Sequence, residues 1–110
     1  MDVMERIKQQ VGSQPVVLFM KGTPEAPMCG FSLRTSQVLK EAGVEFGHVN
    51  VLADPEIRAN LPKFSNWPTF PQLFVKGELV GGCDIVVEMY RSGELAKLLD
   101  ENGIAHAPAA

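Results

Sequence analysis

Five apolar residues in a row, Val16-Val17-Leu18-Phe19-Met20, stand between Pro15 and Lys21-Gly22. A strand with one wet face alternates apolar and polar residues, so an unbroken run of this length suits a strand covered on both faces. The rest of the chain must then supply a layer for each side.

The flanking sequence offers those layers. Val3, Ile7 and Val11 recur every four residues beside Met4, with Arg6, Lys8, Gln9 and Gln10 elsewhere, which predicts an amphipathic helix ending at Gly12. Leu33 to Ala42 reads as a second helix, with Gly43 as its C-terminal cap. Val44 to Val51 is rich in strand formers and predicts a second strand, on which His48 is a partly exposed residue without an evident catalytic partner. Asp54-Pro55 is a helix start, an N-cap followed by proline at the first helical position. Pro62 is expected to end or bend that helix, leaving Lys63 to Asn66 as an irregular turn.

Further on, Trp67-Pro68-Thr69-Phe70-Pro71 cannot lie in a regular ladder, and Pro71 opens the strand Gln72 to Val75. Both cis and trans Phe70-Pro71 bonds fit the sequence. Lys76-Gly77-Glu78 turns the chain into Leu79-Val80-Gly81, completing a hairpin. Asp84 is placed to cap a helix over Ile85 to Tyr90, and a last helix runs from Glu94 to Glu101 after Ser92-Gly93. Ile104 to Ala110 lacks periodicity and is expected to be a loose tail. A β-α-β unit followed by a hairpin and helices implies an α/β domain with a mixed central sheet and helices on both faces. With no repeat and 110 residues, one domain is expected over residues 1–110.

The segment Lys21-Gly22-Thr23-Pro24-Glu25-Ala26-Pro27-Met28-Cys29-Gly30-Phe31-Ser32 leaves the apolar strand and carries Cys29 into a helix start. Unpaired N–H groups and the positive end of the helix dipole favour an anion there. Such placement commonly lowers a cysteine pKa from about 8.5 into roughly the 3.5 to 7.5 range. If the loop folds back, Lys21 adds a second positive influence. A free cysteine is otherwise often a small buried apolar residue, but the polar, Gly- and Pro-rich setting of Cys29 favours the reactive reading.

Composition narrows the function classes. Ten Lys plus Arg against thirteen Asp plus Glu give a net charge of −3, which argues against a general nucleic-acid surface. Two cysteines more than fifty residues apart form neither a disulfide scaffold nor the paired spacing of a zinc site, so a reducing compartment is expected. The N-terminal residues carry acidic groups and no apolar core of a leader, and no apolar run approaches membrane-spanning length. The chain is therefore expected to be cytoplasmic and unprocessed, with no membrane partner.

Three motifs then fall together: Cys29-Gly30-Phe31-Ser32 between strand and helix, Trp67-Pro68-Thr69-Phe70-Pro71 before a strand, and Gly81-Gly82-Cys83-Asp84 before a helix. In order and spacing, with Lys21 ahead of the first, they resemble the monothiol glutaredoxins from about Met4 to Gly103. The resemblance implies a thioredoxin-like fold, a four-stranded mixed β-sheet flanked by about five helices. It also implies glutathione binding and a role in holding and passing on a [2Fe–2S] cluster.

Carried over residue by residue, the resemblance makes Cys29 the nucleophile or iron ligand. Lys21 would meet the glycyl carboxylate of glutathione with help from Arg58, which is otherwise an ordinary exposed helix residue. Phe70 would pair its backbone N–H and C=O with the cysteinyl part. Gly82, Cys83 and Asp84 would bind the γ-glutamyl end through helix-start N–H groups and the Asp84 carboxylate, a role compatible with simple capping. Cys83 is expected to be a buried packing residue rather than a second ligand, with a regulatory disulfide or glutathionylation left open. Phe70 departs from the family, where a β-branched residue is more common; since the backbone binds, packing should change more than chemistry. Pro62 is a second departure and bears on Arg58.

A [2Fe–2S] centre commonly takes four thiolates. The family's solution is a homodimer sharing the cluster between two copies of Cys29 and two glutathione thiolates, for delivery to recipient apoproteins. A BolA-like protein replaces one subunit in related systems. The competing expectation is an enzyme that reduces glutathione mixed disulfides through Cys29. Ser32 stands where a dithiol site has its second cysteine, so only a single-cysteine cycle is open. A third reading, a silent interaction module, leaves Lys21 and Asp84 as surface charges.

Overall fold

The computed structural model describes residues 2–107. Its elements follow one another as α1 (Val3–Val11), β1 (Val16–Met20), α2 (Gly30–Glu41), β2 (Gly47–Asn50), α3 (Pro55–Ser65), β3 (Gln72–Val75), β4 (Glu78–Gly81), α4 (Cys83–Ser92) and α5 (Glu94–Glu101). The four strands form one mixed sheet in the order β2-β1-β3-β4. β1 runs parallel to β2, with Leu18 beside His48, and antiparallel to β3, with Leu18 beside Leu73. The hairpin partner β4 is antiparallel to β3 and shifts register between Leu73 and Phe74.

The apolar run is buried along its whole length, as expected of an inner strand. Because side chains alternate across a strand, Val16, Leu18 and Met20 face one layer while Val17 and Phe19 face the other. The first face packs with Leu73 and Val75 against Val38 and Leu39 of α2, Val86 and Val87 of α4, and Leu95 and Leu99 of α5. The second packs with Phe74 against Ile7 and Val11 of α1 and Ile57 and Leu61 of α3. Phe19 and Phe74 meet edge to face there, ring centres 5.5 Å apart. Each fully buried Leu or Phe contributes about 1.5–3 kcal/mol, so both layers are needed to hold β1.

Several boundaries differ from the sequence reading, each for a local reason. α2 begins at Gly30, a turn before Leu33, because Cys29 itself is extended (φ −155°, ψ 138°) and takes the N-cap place. Ala42 is its C-cap, and Gly43 follows with φ +68°. β2 is shorter than Val44 to Val51: the N–H of Val44 turns back to the Leu39 carbonyl. Pro62 does not end α3, which continues to Ser65 and closes on Asn66 in the left-handed conformation. The proline removes the hydrogen bond to the carbonyl of Arg58 four residues back; Arg58 is exposed, so water can serve that carbonyl. α4 is capped by Gly82, not Asp84; Asp84 lies in its first turn, where a carboxylate still complements the helix dipole.

The C-terminal segment is also less loose than expected over its described part. Ile104 N–H reaches the Leu99 carbonyl, Ala107 N–H reaches the Ala42 carbonyl at 2.9 Å, and His106 pairs with Asp100 at 2.7 Å. The Asp100 carboxylate, with the Ala107 carbonyl, raises the His106 pKa. The remainder of the expected tail, residues 108–110, lies outside the described residues. The Phe70-Pro71 bond is cis.

Candidate functional site

The loop after β1 is held by its own backbone. Met28 N–H donates to the Lys21 carbonyl at 2.9 Å, and Thr23 and Ala26 exchange two hydrogen bonds. Gly22 has φ +91°, and a Cβ there would lie 2.5 Å from the Ala26 carbonyl oxygen, so only glycine fits. From outside the loop, Asn50 Oδ1 accepts from Gly22 N–H at 2.9 Å and from Leu52 N–H at 3.0 Å. Ser32 Oγ, fully buried, accepts from Lys21 N–H at 3.0 Å. The loop therefore returns Cys29 to the C-terminal end of β1, beside Lys21.

Cys29 is a free thiol of intermediate exposure. Its side chain makes no regular cap hydrogen bond. The charged form is nonetheless favoured, and the thiol pKa is lowered mainly by the Ser32 N–H facing the sulfur. Partial burial opposes this, while the Phe31 N–H, the Ser32 hydroxyl and the Lys21 ammonium support it. Since Ser32 Oγ already accepts from Lys21, its own proton is free to point at the sulfur. The arrangement therefore holds Cys29 more readily ionised than a free cysteine thiol.

A cleft of about 840 Å³ opens beside the sulfur and brings all the expected residues together: Lys21, Cys29, Arg58, Phe70, Gly82, Cys83 and Asp84 all line it. Among the described residues the ion pairs are Arg6 with Asp54 and Glu56, and His106 with Asp100. Lys21, Arg58 and Asp84 therefore keep their charges unpaired. Two cations lie on the Lys21 and α3 side, and one carboxylate lies at the start of α4. Cys83 is a buried thiol, 7 % exposed, packed in the core layer with Val86 and Val87, as expected.

The cleft also contains residues that the sequence reading did not assign: Phe31, Trp67, Thr69 and Ile85. Phe31 is 62 % exposed at the rim. A bulky apolar residue directly after Cys29-Gly30, on the outer side of a helix start, was the signal for it. Trp67 lines the cleft next to Gly82: a Cβ on Gly82 would lie 3.3 Å from both Trp67 Nε1 and the Pro71 carbonyl oxygen. Gly82 has an ordinary φ of −96°, so close approach, not backbone freedom, explains the glycine. Trp67 Nε1 is buried without a hydrogen-bond partner among the described residues.

The described residues contain no group of three or more His, Cys, Asp or Glu placed to hold a metal ion. No helix is long and apolar enough to cross a membrane. A metal centre at Cys29 would thus take most of its ligands from other molecules. The cleft, lined by charges of opposite sign with a thiol alongside, suits a short zwitterionic thiol peptide.

Comparison with known proteins agrees with this geometry. Residues 16–80 match the glutaredoxin family model. Glutaredoxin 4 of Haemophilus influenzae is 52 % identical over 107 residues, covering 97 % of this chain and 100 % of that protein. Monothiol glutaredoxin-S11 of Oryza sativa subsp. japonica is 57 % identical over 104 residues, which are 94 % of this chain and 21 % of that longer protein. Among solved structures, a monomeric truncated mutant of Trypanosoma brucei 1-C-Grx1 superposes with a TM-score of 0.88 at 45 % identity, covering 99 % of each chain. A buckwheat glutaredoxin solved as a complex with glutathione superposes at 0.79 and 29 % identity, over 91 % of this chain and 89 % of that one.

Proposed function

The chain belongs to the monothiol branch of the glutaredoxin family, with its thioredoxin-like fold, and from that premise we propose that it binds glutathione and carries a [2Fe–2S] cluster to recipient apoproteins. One observation supports this most directly: a thiol with lowered pKa shares a single cleft with the unpaired Lys21, Arg58 and Asp84. Lys21 and Arg58 receive the glycyl carboxylate. The backbone of Phe70 pairs with the cysteinyl residue. The Gly82 and Cys83 N–H groups at the start of α4, with Asp84, receive the γ-glutamyl end. So held, the ligand's sulfur is directed toward Cys29.

The cluster is cargo, and ligand supply decides how it is held. Four thiolates are the common requirement, and of the chain's two thiols Cys29 is the accessible one while Cys83 is buried. Two copies of Cys29 and two glutathione thiolates complete the set, which makes the loaded form a homodimer and half of its ligands diffusible. A BolA-like protein in place of one subunit would meet the same Cys29 edge, beside the exposed Met28 and Phe31. Two free thiols fit work in a reducing cytoplasm, and neither nucleic acid nor membrane is a proposed partner.

Anaerobic reconstitution with iron, sulfide and glutathione tests the reading. The expected product is a coloured dimer with about one cluster per two chains, and none without glutathione. The lowered pKa of Cys29 also favours a second reading, glutathione-dependent disulfide reduction. In it the Cys29 thiolate attacks the glutathione sulfur of a mixed disulfide and expels the protein thiolate. A second glutathione thiolate then displaces Cys29 and leaves oxidised glutathione. Rapid turnover of that kind without cluster formation would replace the carrier assignment.

A further inference from the structure

Gln72 is a fully buried polar side chain at the start of β3, one residue beyond the cleft-lining Pro71. Its Nε2 donates to the Trp67 carbonyl at 2.9 Å and to the Thr69 carbonyl at 3.1 Å. Its Oε1 is buried with no partner among the described residues. Reversing the amide would set Oε1 against two carbonyl oxygens, so these acceptors fix its orientation. An apolar side chain of the same shape would avoid the orphaned oxygen but leave the Trp67 and Thr69 carbonyls without these donors. The amide therefore has a task other than filling space.

The Trp67–Pro71 segment explains what that task is. Pro68 and Pro71 have no N–H, so the segment cannot close a ladder of its own. Gln72 engages the carbonyls on either side of Pro68, and Phe70 enters no backbone hydrogen bond outside helices and strands among the described residues. Its N–H and C=O stay available in the cleft wall. We propose that Gln72 is a positioning residue for ligand binding, a two-pronged donor that holds the Trp67–Thr69 carbonyls inward so that the Phe70 backbone is presented to an extended peptide. This rests on reading the cleft as a glutathione site, and it assigns that wall's shape to one buried amide.

Titration calorimetry of the full chain with reduced glutathione tests it, comparing wild type with Gln72→Met, which keeps the length and removes both donors. The expected result is an affinity about tenfold weaker in Gln72→Met, with an unchanged dependence of affinity on salt, because Lys21, Arg58 and Asp84 remain in place. Gln72→Glu is measured beside it with S-methylglutathione from pH 5 to 7.5. A protonated carboxyl donates one of the two bonds, and a carboxylate donates none and faces two carbonyls. The affinity of Gln72→Glu relative to wild type should therefore fall as pH rises. A lowered melting temperature with wild-type affinity in both variants would make Gln72 a packing residue and overturn the proposal. Absence of binding by the wild type would instead overturn the glutathione reading itself.

Discussion

The two cysteines of this chain occupy nearly matching places. Each follows the end of a strand, each opens a helix, and both line the same cleft. Cys29 is the N-cap of α2, so its side chain lies outside the first turn, where the Phe31 and Ser32 N–H groups can face its sulfur. Cys83 is the first residue within α4, after the cap Gly82, and its side chain joins the core layer with Val86 and Val87. A helix start thus makes a reactive thiol only when the sulfur sits at the cap and can be reached. One position along the helix separates a reachable thiol with a lowered pKa from a packed one.

The comparison is broken most severely by cluster assembly. Cys29→Ser is expected to abolish the glutathione-dependent [2Fe–2S] chromophore, and Cys83→Ser to leave it within about twofold, since Cys83 contributes backbone and not sulfur. Iron and sulfide analysis of both reconstituted variants checks this. A cluster retained by Cys29→Ser would dissolve the distinction.

Alkylation sharpens it. In the folded protein at pH 7, Cys29 should react with iodoacetamide on the order of 100-fold faster than Cys83, as read by mass spectrometry, and denaturant should bring the two rates together. The pH midpoint for Cys29 should lie below its value in the unfolded chain. The sign follows from the direction of the shift: the fold favours the thiolate. The associated stability is fully present above the unfolded pKa and is lost as pH falls through the lower folded one.

A smaller effect separates the two ends of the cleft. Lys21→Ala and Asp84→Ala should each weaken glutathione binding roughly tenfold, the size of one charge-assisted hydrogen bond. Of these two variants only Lys21→Ala should also raise the Cys29 midpoint, slightly, because Lys21 is among the groups that lower that thiol's pKa and Asp84 is not. Equal midpoints in the two variants would remove Lys21 from the thiol's surroundings.

Much of this arrangement could be read from the chain. The unbroken Val16–Met20 run implied the inner strand and its two layers; the three motifs contain Cys29, Phe70, Gly82, Cys83 and Asp84, while Lys21 and Arg58, which line the same cleft, lie outside them and were assigned through the family resemblance. What escaped was decided by contacts distant in sequence or by single residues. Asn50 steadies Gly22 from 28 positions away, and no local pattern marks such a pair. The described part of the C-terminal segment is fastened by Ile104, His106 and Ala107 one by one, which leaves no period to detect. Pro62 would stop an isolated helix, but Leu61 is buried in the second core layer, and that packing carries α3 past it. At α4, Asp84 falls in the first turn, and the cap place goes to Gly82, which packs closely against Trp67 and the Pro71 carbonyl.

Trp67 is the chain's single tryptophan, and it lines the cleft with its indole nitrogen buried and unpartnered among the described residues. All indole emission therefore arises at this wall, with no background from a second fluorophore of its kind. A ligand entering beside it, or an iron–sulfur chromophore absorbing nearby, would alter that emission directly. Occupancy, loading and cargo release could then be followed in unlabelled protein, in real time.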